Sequence, residues 1–385
     1  MYSINKEQGR VCEIVEDYSR KQIVLVRRAS GNKEPAINYK GFCGQVKTGD
    51  RVVINTTAVD LQLGTGGYHF VIGHCTPEAH DREGEQVIKQ RCRRDDQEKD
   101  GKEVHSQQMA AADTGGHIIK LRYTPQQLKV LAVEEKEGPH HQKIKNFCGL
   151  KGLPVVIIPL HSLLAPFAIV FKKCYPEKKL VYIMTGGGSL SLELSHQVQK
   201  LRARGVLDTT ITAGQAYGGH LEAVNIFTAL AAAREVAAAD MVVVGMGPGQ
   251  AGTGTPLGFS GMENVFSDYA VKQLEGESLL VPRLSFADKR DRHFFLSHHT
   301  ATMLEFMSPG CEIIFPDCEL VKAMLAGVEL PGKHDYFFYD YTEILNILLD
   351  SNFVFETMGR NLQQDPVFFV SGALPVLRYK SKLKE

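Results

Sequence analysis

Val242-Val243-Val244-Gly245-Met246-Gly247-Pro248-Gly249-Gln250-Ala251-Gly252-Thr253-Gly254-Thr255 is the stretch whose reading decides the fold class of this chain. A short β-branched run reads as a buried strand, and it empties into a loop with glycine at nearly every second position. Glycine lets backbone approach a ligand closely and adopt positive φ. Backbone N–H groups in such a loop, near a helix start, form a cradle for phosphate or another anion. A strand feeding a ligand-binding loop is the signature of an α/β scaffold.

Working outward, the same rhythm recurs from about residue 150 onward. Apolar runs at 154–159, 180–184, 209–212, 241–244, 279–284, 312–315, 336–339 and 367–370 predict buried strands. Helical periods fall at 190–204, 222–236, 261–274, 298–306, 319–326 and 342–350. Strands alternating with helices of this length imply βαβ units, a mostly parallel sheet and helices on both faces. The expected class is α/β, doubly wound and Rossmann-like, with a (β/α)8-like barrel as the competing architecture because the strand count is close to eight.

The N-terminal part has a different texture. Segments 10–17, 22–28, 36–40, 51–55 and 63–72 are short, rich in Val and Ile, and broken by turn residues such as Gly31-Asn32 and Thr48-Gly49-Asp50. They predict a small all-β, barrel-like domain. Gly64-Thr65-Gly66-Gly67 and Thr114-Gly115-Gly116-His117 read as β-turns, and 117–123 and 127–133 as two further strands. Residues of about 78–112 mix both charge signs with few apolar partners, so they bury too little surface to offset their ordering entropy and predict a mobile loop. The domain boundary is expected near 135, with residues 1–135 forming the β domain and 136–385 the α/β domain.

Bulk properties narrow the function classes. Lys plus Arg equals Asp plus Glu at 44 each, which gives no basic surplus for nucleic acid or an anionic membrane. The longest apolar stretch, 154–171, holds His161, Pro159 and Pro166 and predicts a strand followed by a helix rather than a membrane span. Residues 1–7 are polar and lack the apolar centre of a signal peptide. Eight cysteines are scattered without a Cys-x-x-Cys pair, so no metal knuckle or disulfide framework is predicted, and reduced thiols in a cytoplasm are expected.

The glycine-bearing segments gather at one place in each βα unit: Thr185-Gly186-Gly187-Gly188, 213–220, 247–255 and 285–293 all follow a predicted strand. In a parallel sheet those ends share an edge, where α/β proteins place ligands. The plainer alternative is that βα connections need glycine for turning alone. Gly247-x-Gly249-x-x-Gly252 matches a dinucleotide spacing, but Pro256 and Gly258 delay the helix and no acid stands at the next strand end, which disfavours NAD. Gly249 and Gly254 are followed by Thr255 and not by Lys-Ser/Thr, which disfavours a P-loop nucleotide site.

An anion cradle is what survives, with Gly186, Gly187, Gly188, Gly247, Gly249, Gly252 and Gly254 as backbone donors and Thr253 and Thr255 as hydroxyl donors. Arg283 and Arg290, in a charged cluster with Asp288, Lys289 and Arg292, suit charge neutralisation. Glu222, Asp288, His298 and His299 are the candidates for acid/base work or for a divalent metal. Asp291 and His293 lie just upstream of the histidine pair, His220 beside Glu222, and His140-His141 earlier, but none has a metalloprotease-like spacing. Histidines beside helix starts also cap and pack, and charged loops also merely hydrate.

At these loops the chain resembles an uncharacterised bacterial family, domain of unknown function 3866. The resemblance rests on Met184-Thr185-Gly186-Gly187-Gly188, on 218–225 (Gly218-Gly219-His220-Leu221-Glu222-Ala223-Val224-Asn225), on Gly247-Pro248-Gly249 through Gly252-Thr253-Gly254-Thr255, on Gly258-Phe259-Ser260-Gly261, and on Ser285-Phe286-Ala287-Asp288 through Ser297-His298-His299-Thr300. It implies shared architecture over nearly the whole chain, and an acid where Gly187 and His220 stand here. It carries no activity. The loops themselves lead to the expectation of an enzyme of hydrolysis or group transfer on a small anionic ligand, a phosphate-bearing one being among the candidates. The alternative is a non-enzymatic metabolite sensor whose β domain contacts a partner, and a third is a structural subunit whose glycine loops are only tight turns.

Overall fold

The computed structural model describes residues 2–62, 67–75 and 115–384; the predicted mobile loop of 78–112, the Gly64–Gly66 turn and Thr114 lie outside the described residues. Two compact units are present, one drawn from 3–114 and 121–129, the other from 1–2, 115–120 and 130–385. The division is interleaved, because the chain crosses between units more than once in 114–130.

The first unit contains a closed five-stranded barrel: β1 (Lys6–Asp17), β2 (Lys21–Arg27), β3 (Lys33–Tyr39), β4 (Arg51–Asn55) and β5 (His69–His74). The barrel order is β1-β2-β3-β5-β4, antiparallel except where Ala36 and Ile37 of β3 run parallel to His69 and Phe70 of β5. Val11, Val24, Val26, Ala36, Val52, Ile54 and Val71 fill its interior, as alternation along short strands requires. Gly9 allows the closure of β1 on β2, since a Cβ there would sit 2.3 Å from Val26 Cγ1.

The second unit is an open sheet of eight parallel strands: β6 (Pro154–Ile157), β7 (Leu180–Thr185), β8 (Thr209–Ala213), β9 (Leu221–Ala223), β10 (Met241–Met246), β11 (Glu277–Leu280), β12 (Glu312–Pro316) and β13 (Asp335–Tyr339). The spatial order is β9-β8-β7-β10-β6-β11-β12-β13. The sheet does not close, because its end strands β9 and β13 do not pair with each other, which excludes the (β/α)8 barrel. Chain connections run outward from β6 to β7, β8 and β9, then return to β10 and run the opposite way through β11, β12 and β13. That reversal leaves the ends of β7, β10, β6 and β11 side by side at the centre. Thr185 stands level with Met246, Val244 with Ile157, and Ile157 with Leu280.

Helices cover both faces, as alternating side chains demand of a sheet buried on two sides. Val156, Tyr182, Val243, Leu279 and Ile314 face one layer, made of α1 (Leu164–Cys174), α2 (His196–Ala203), α7 (Thr342–Asp350), α8 (Pro366–Ala373) and α9 (Pro375–Lys382). Val155, Val181, Ile183, Val242 and Val244 face α3 (Ile226–Glu235) and α4 (Glu263–Gln273). Ile157, Leu280, Ile313 and Phe315 point to the same side, under α5 (His298–Phe306) and α6 (Glu319–Leu325). No described helix is long and apolar enough to cross a membrane.

Three expectations of local structure change. The apolar run 367–370, read as a strand, is the interior of α8. Pro366 supplies a preset φ at the helix start, and Phe368, Phe369, Val370 and Ala373 are all buried, so the helix lacks the polar face that would have betrayed its period. The helix predicted from 190 begins in earnest only at His196, where Ser195 accepts from Val198 N. The helix predicted from 222 begins at Ile226 behind an Asn225–Thr228 capping box, which leaves Leu221–Ala223 as edge strand β9 and puts Glu222 on a strand.

Gly245 is the tight spot of the sheet centre. A Cβ there would lie 2.4 Å from Ile158 Cγ1 and 3.0 Å from the Ile158 carbonyl oxygen. Gly245→Ala is expected to destabilise the protein by about 1–3 kcal/mol through overpacking, read as a lowered urea midpoint at unchanged m-value. An unchanged midpoint would show that the centre of the sheet relaxes freely.

Candidate functional site

The ends of β10, β6 and β11 open onto a cavity of about 500 Å³. Residues just past β6 (Pro159 to Ser162), the backbone from Met246 to Gly252, Arg283 past β11, and Arg290, Arg292, His293 and His299 line it. Every one of them belongs to the α/β unit.

The glycine loop after β10 supplies backbone rather than hydroxyls. Thr253 Oγ1 donates to Gly258 O at 2.9 Å and lies 2.9 Å from Thr255 Oγ1, while Gly258 N donates to Thr255 Oγ1 at 3.2 Å. A Cβ on Gly258 would fall 2.2 Å from Thr253 Oγ1, so these three residues lock the loop's tip to itself. Gly252 rests against the His299 ring and Gly254 beside Arg292. Gly249 and Gly254 hold φ of 91° and 82°, which a β-carbon makes costly.

Gly186, Gly187 and Gly188 form a turn next to this loop without lining the cavity. The room left by Gly187 is filled by Glu263, whose Oε2 accepts from Gly187 N at 3.1 Å. Burial pushes the Glu263 carboxyl above its ordinary value, partly offset by hydrogen bonds from Thr185 and from Gly187 N.

Charge dominates the other wall. Asp288 is buried and takes three arginines: Arg290 through Nε at 2.9 Å and Nη2 at 2.8 Å, Arg283 at 3.1 Å and Arg360 at 3.5 Å. The Arg290 hydrogen bonds hold its carboxyl well below the usual aspartate range. A carboxylate so committed neither takes nor gives a proton near neutrality. Ser285 Oγ braces the turn, accepting from Asp288 N at 3.0 Å and donating to Asp365 at 2.6 Å. Burial brings the Arg283 guanidinium down to about 10, still cationic at neutral pH, and its buried Nε has no protein partner. Arg292 is exposed on the rim.

A cluster of three histidines stands at this wall, with His293 and His299 lining the cavity and His298 beside them. His293, His298 and His299 each offer a nitrogen, and these nitrogens all lie within 4.8 Å of one another. Serine 297 caps α5 and also meets His293 Nδ1 at 2.7 Å. Phe259 stacks flat on His299, centroids 3.8 Å apart. Burial and then the neighbouring arginines bring His293 to about 3; burial and then His298 bring His299 to about 4; burial also lowers His298. All three are neutral at pH 7.

Glu222 stands elsewhere. It forms a buried pair with Lys120, Nζ to Oε2 at 2.5 Å, and accepts from Thr212 Oγ1 at 2.7 Å and from Gly218 N at 2.7 Å. Its oxygens join β8 and β9 to Lys120, at the end of the short strand Ile118–Lys120. The structure thus brings together Gly247, Gly249, Gly252, Gly254, Arg283, Arg290, Asp288, His298 and His299. It sets Gly186–Gly188 to one side, spends Thr253 and Thr255 on the loop, and leaves Glu222 in a structural pair.

Sequence reasoning missed His161, Glu263 and Lys120 altogether. His161 was hidden in an apolar run; its Nε2 lies 2.6 Å from Ser195 Oγ and its Nδ1 3.2 Å from Tyr182 Oη, and burial brings it to about 4. Its position directly past a strand end was the available clue. The hairpin at Glu356–Met358, which closes the far side of the cavity, carried none.

An open, mostly doubly wound parallel sheet with helices on both faces, joined to a small closed barrel, places the chain in the α/β class. The chain belongs to the family described as Protein of unknown function (DUF3866), whose family model matches residues 35–375. No curated protein and no solved structure gives a match.

Two outcomes separate structural from chemical roles here. Glu222→Gln is expected to destabilise the protein by about 3–5 kcal/mol, because it strands the buried Lys120 charge, in a urea titration; the double change Lys120→Met with Glu222→Leu should regain most of it. Asp288 has a folded pKa below its unfolded value of 3.8, so its contribution to stability is complete above that value and is lost as pH falls through it. The stability gap between wild type and Asp288→Asn should therefore be constant from pH 5 to 7 and narrow below about pH 4.

Proposed function

We propose that this protein binds a small anionic, phosphate-bearing molecule in the cavity over the ends of β10, β6 and β11, and that it is an enzyme of hydrolysis or group transfer. The observation that carries the reading is the imbalance of charge at the cavity wall. Arg283, Arg290 and Arg292 line it with one acid, Glu356, while the nearby Asp288 is consumed in holding two of those arginines in place.

The parts divide their work by geometry. Arg283 presents its buried, unpartnered Nε as a fixed donor, and such charge-assisted bonds are the strong ones in recognising phosphate. Gly247 and Gly249, which carry no side chains, leave backbone open to an anion between Pro248 and Gln250. Arg292, on the rim, attracts and closes over the ligand. His293 and His299, neutral at pH 7, offer a lone pair or an N–H without adding positive charge. Asp288 is a positioning residue in this account, since it acts through the arginines. Hydride transfer is disfavoured because no dinucleotide fingerprint stands in the loop.

Thermal shift and calorimetry with inorganic phosphate, phosphate monoesters, carboxylates and neutral sugars test the reading. Phosphate-bearing molecules are expected to raise the melting temperature in a dose-dependent way. Arg292→Ala should weaken their binding by roughly tenfold or more while leaving the melting temperature of the free protein unchanged. Equal response to neutral and anionic molecules, or none to any, would overturn it.

A further inference from the structure

We infer that His293, His298 and His299 form a binding site for one divalent transition metal ion of the zinc class, with an open coordination position facing the cavity. The cluster stands on geometry. The nitrogens lie within 4.8 Å of one another, against about 3.3 Å in a tetrahedral set with bonds of 2.0–2.1 Å, so small ring rotations bring them onto one ion. Neighbouring ring centroids are 4.3 to 5.1 Å apart, a spacing that already crowds three imidazoles around one point.

Two further observations point to a ligand there. The Nε2 of His298 and the Nδ1 of His299 are buried with no protein partner, and His299 is only 7 % exposed. Leaving such atoms unmatched is costly, and a metal ion removes that cost. The second observation is orientation. Ser297 Oγ fixes His293 through Nδ1, which leaves Nε2 for an ion, and Phe259 clamps the plane of His299. Ligating histidines are held this way by partners on their other nitrogen.

The surroundings argue about charge in both directions. Arg283, Arg290 and Arg292 oppose a cation by simple repulsion. They also favour an anion in the open position beside the metal. Three neutral nitrogens plus an open position is the catalytic rather than the structural pattern for zinc. The metal's place in turnover rests on the function proposed above; binding of the ion itself does not.

Protein freed of metal with a chelator and dialysed is titrated with Zn²⁺ and, separately, with Co²⁺. One ion per chain is expected at micromolar concentration, with the visible absorption of a four- or five-coordinate Co²⁺ centre. His299→Ala and the less buried His298→Ala should each lose at least tenfold in affinity with an unchanged circular dichroism spectrum, and His117→Ala, in the unit's other His/Glu cluster, should bind as wild type does. Less than 0.1 equivalent bound by wild type, or binding lost in His117→Ala and kept in both other variants, overturns the site. Inorganic phosphate is then titrated into loaded and chelated protein. Phosphate binding in a protein that takes no metal leaves the proposed function standing and the metal site refuted.

Discussion

Four parallel strand ends meeting side by side are the constraint on which the rest of this molecule depends. A parallel sheet directs all its strand ends to one edge, and the reversal of strand order after β9 puts the ends of β7, β10, β6 and β11 next to one another. Helices on both faces prevent the connections from closing over that edge at the point where they diverge. A crevice follows from topology alone. What lines it is then decided by the residues just past three of these strands: His161, Gly247 and Arg283.

Electrostatics decides between the chemistries those residues permit. A set of acids and histidines drawn from the loops would describe an acid/base machine if each group titrated near neutrality. Here Asp288 is held ionised by arginine, Glu222 is locked to Lys120, and the histidines of the cavity wall are held neutral by burial and by nearby positive charge. The wall is therefore a fixed positive field lined with neutral imidazoles. Such a field favours an anion, and preorganised charge in a partly dry cavity is worth far more than the same charge in water.

Much of the architecture was legible in the sequence because strand and helix periods differ and because parallel strands are uniformly apolar. The barrel was legible from short alternating strands with turn residues between them. What escaped did so for physical reasons. Residues 367–370 are apolar in every direction, and a helix buried all round has no period to read. Glu222 looked like a helix-start acid because its strand is three residues long and runs straight into a capping box. Within the site, Arg283, Arg290 and the histidine pair could be marked by residue type, but the arginine cluster on Asp288 also takes Arg360, from far along the chain, which no local pattern announces. Thr253 and Thr255 looked like ligand donors because hydroxyls in a glycine loop usually are; only the fold reveals that they close the loop on Gly258.

The central claim is that the cavity over the sheet centre is an anion site. Tungstate, a tetrahedral oxyanion with strong anomalous scattering, soaked into crystals of the protein, locates such a site without knowledge of the natural ligand. The account predicts a dominant anomalous peak within hydrogen-bonding distance of Arg283 Nε and of the backbone at 247–250, lost in Arg283→Met. A dominant peak elsewhere on the molecule, with none in the cavity, would contradict it.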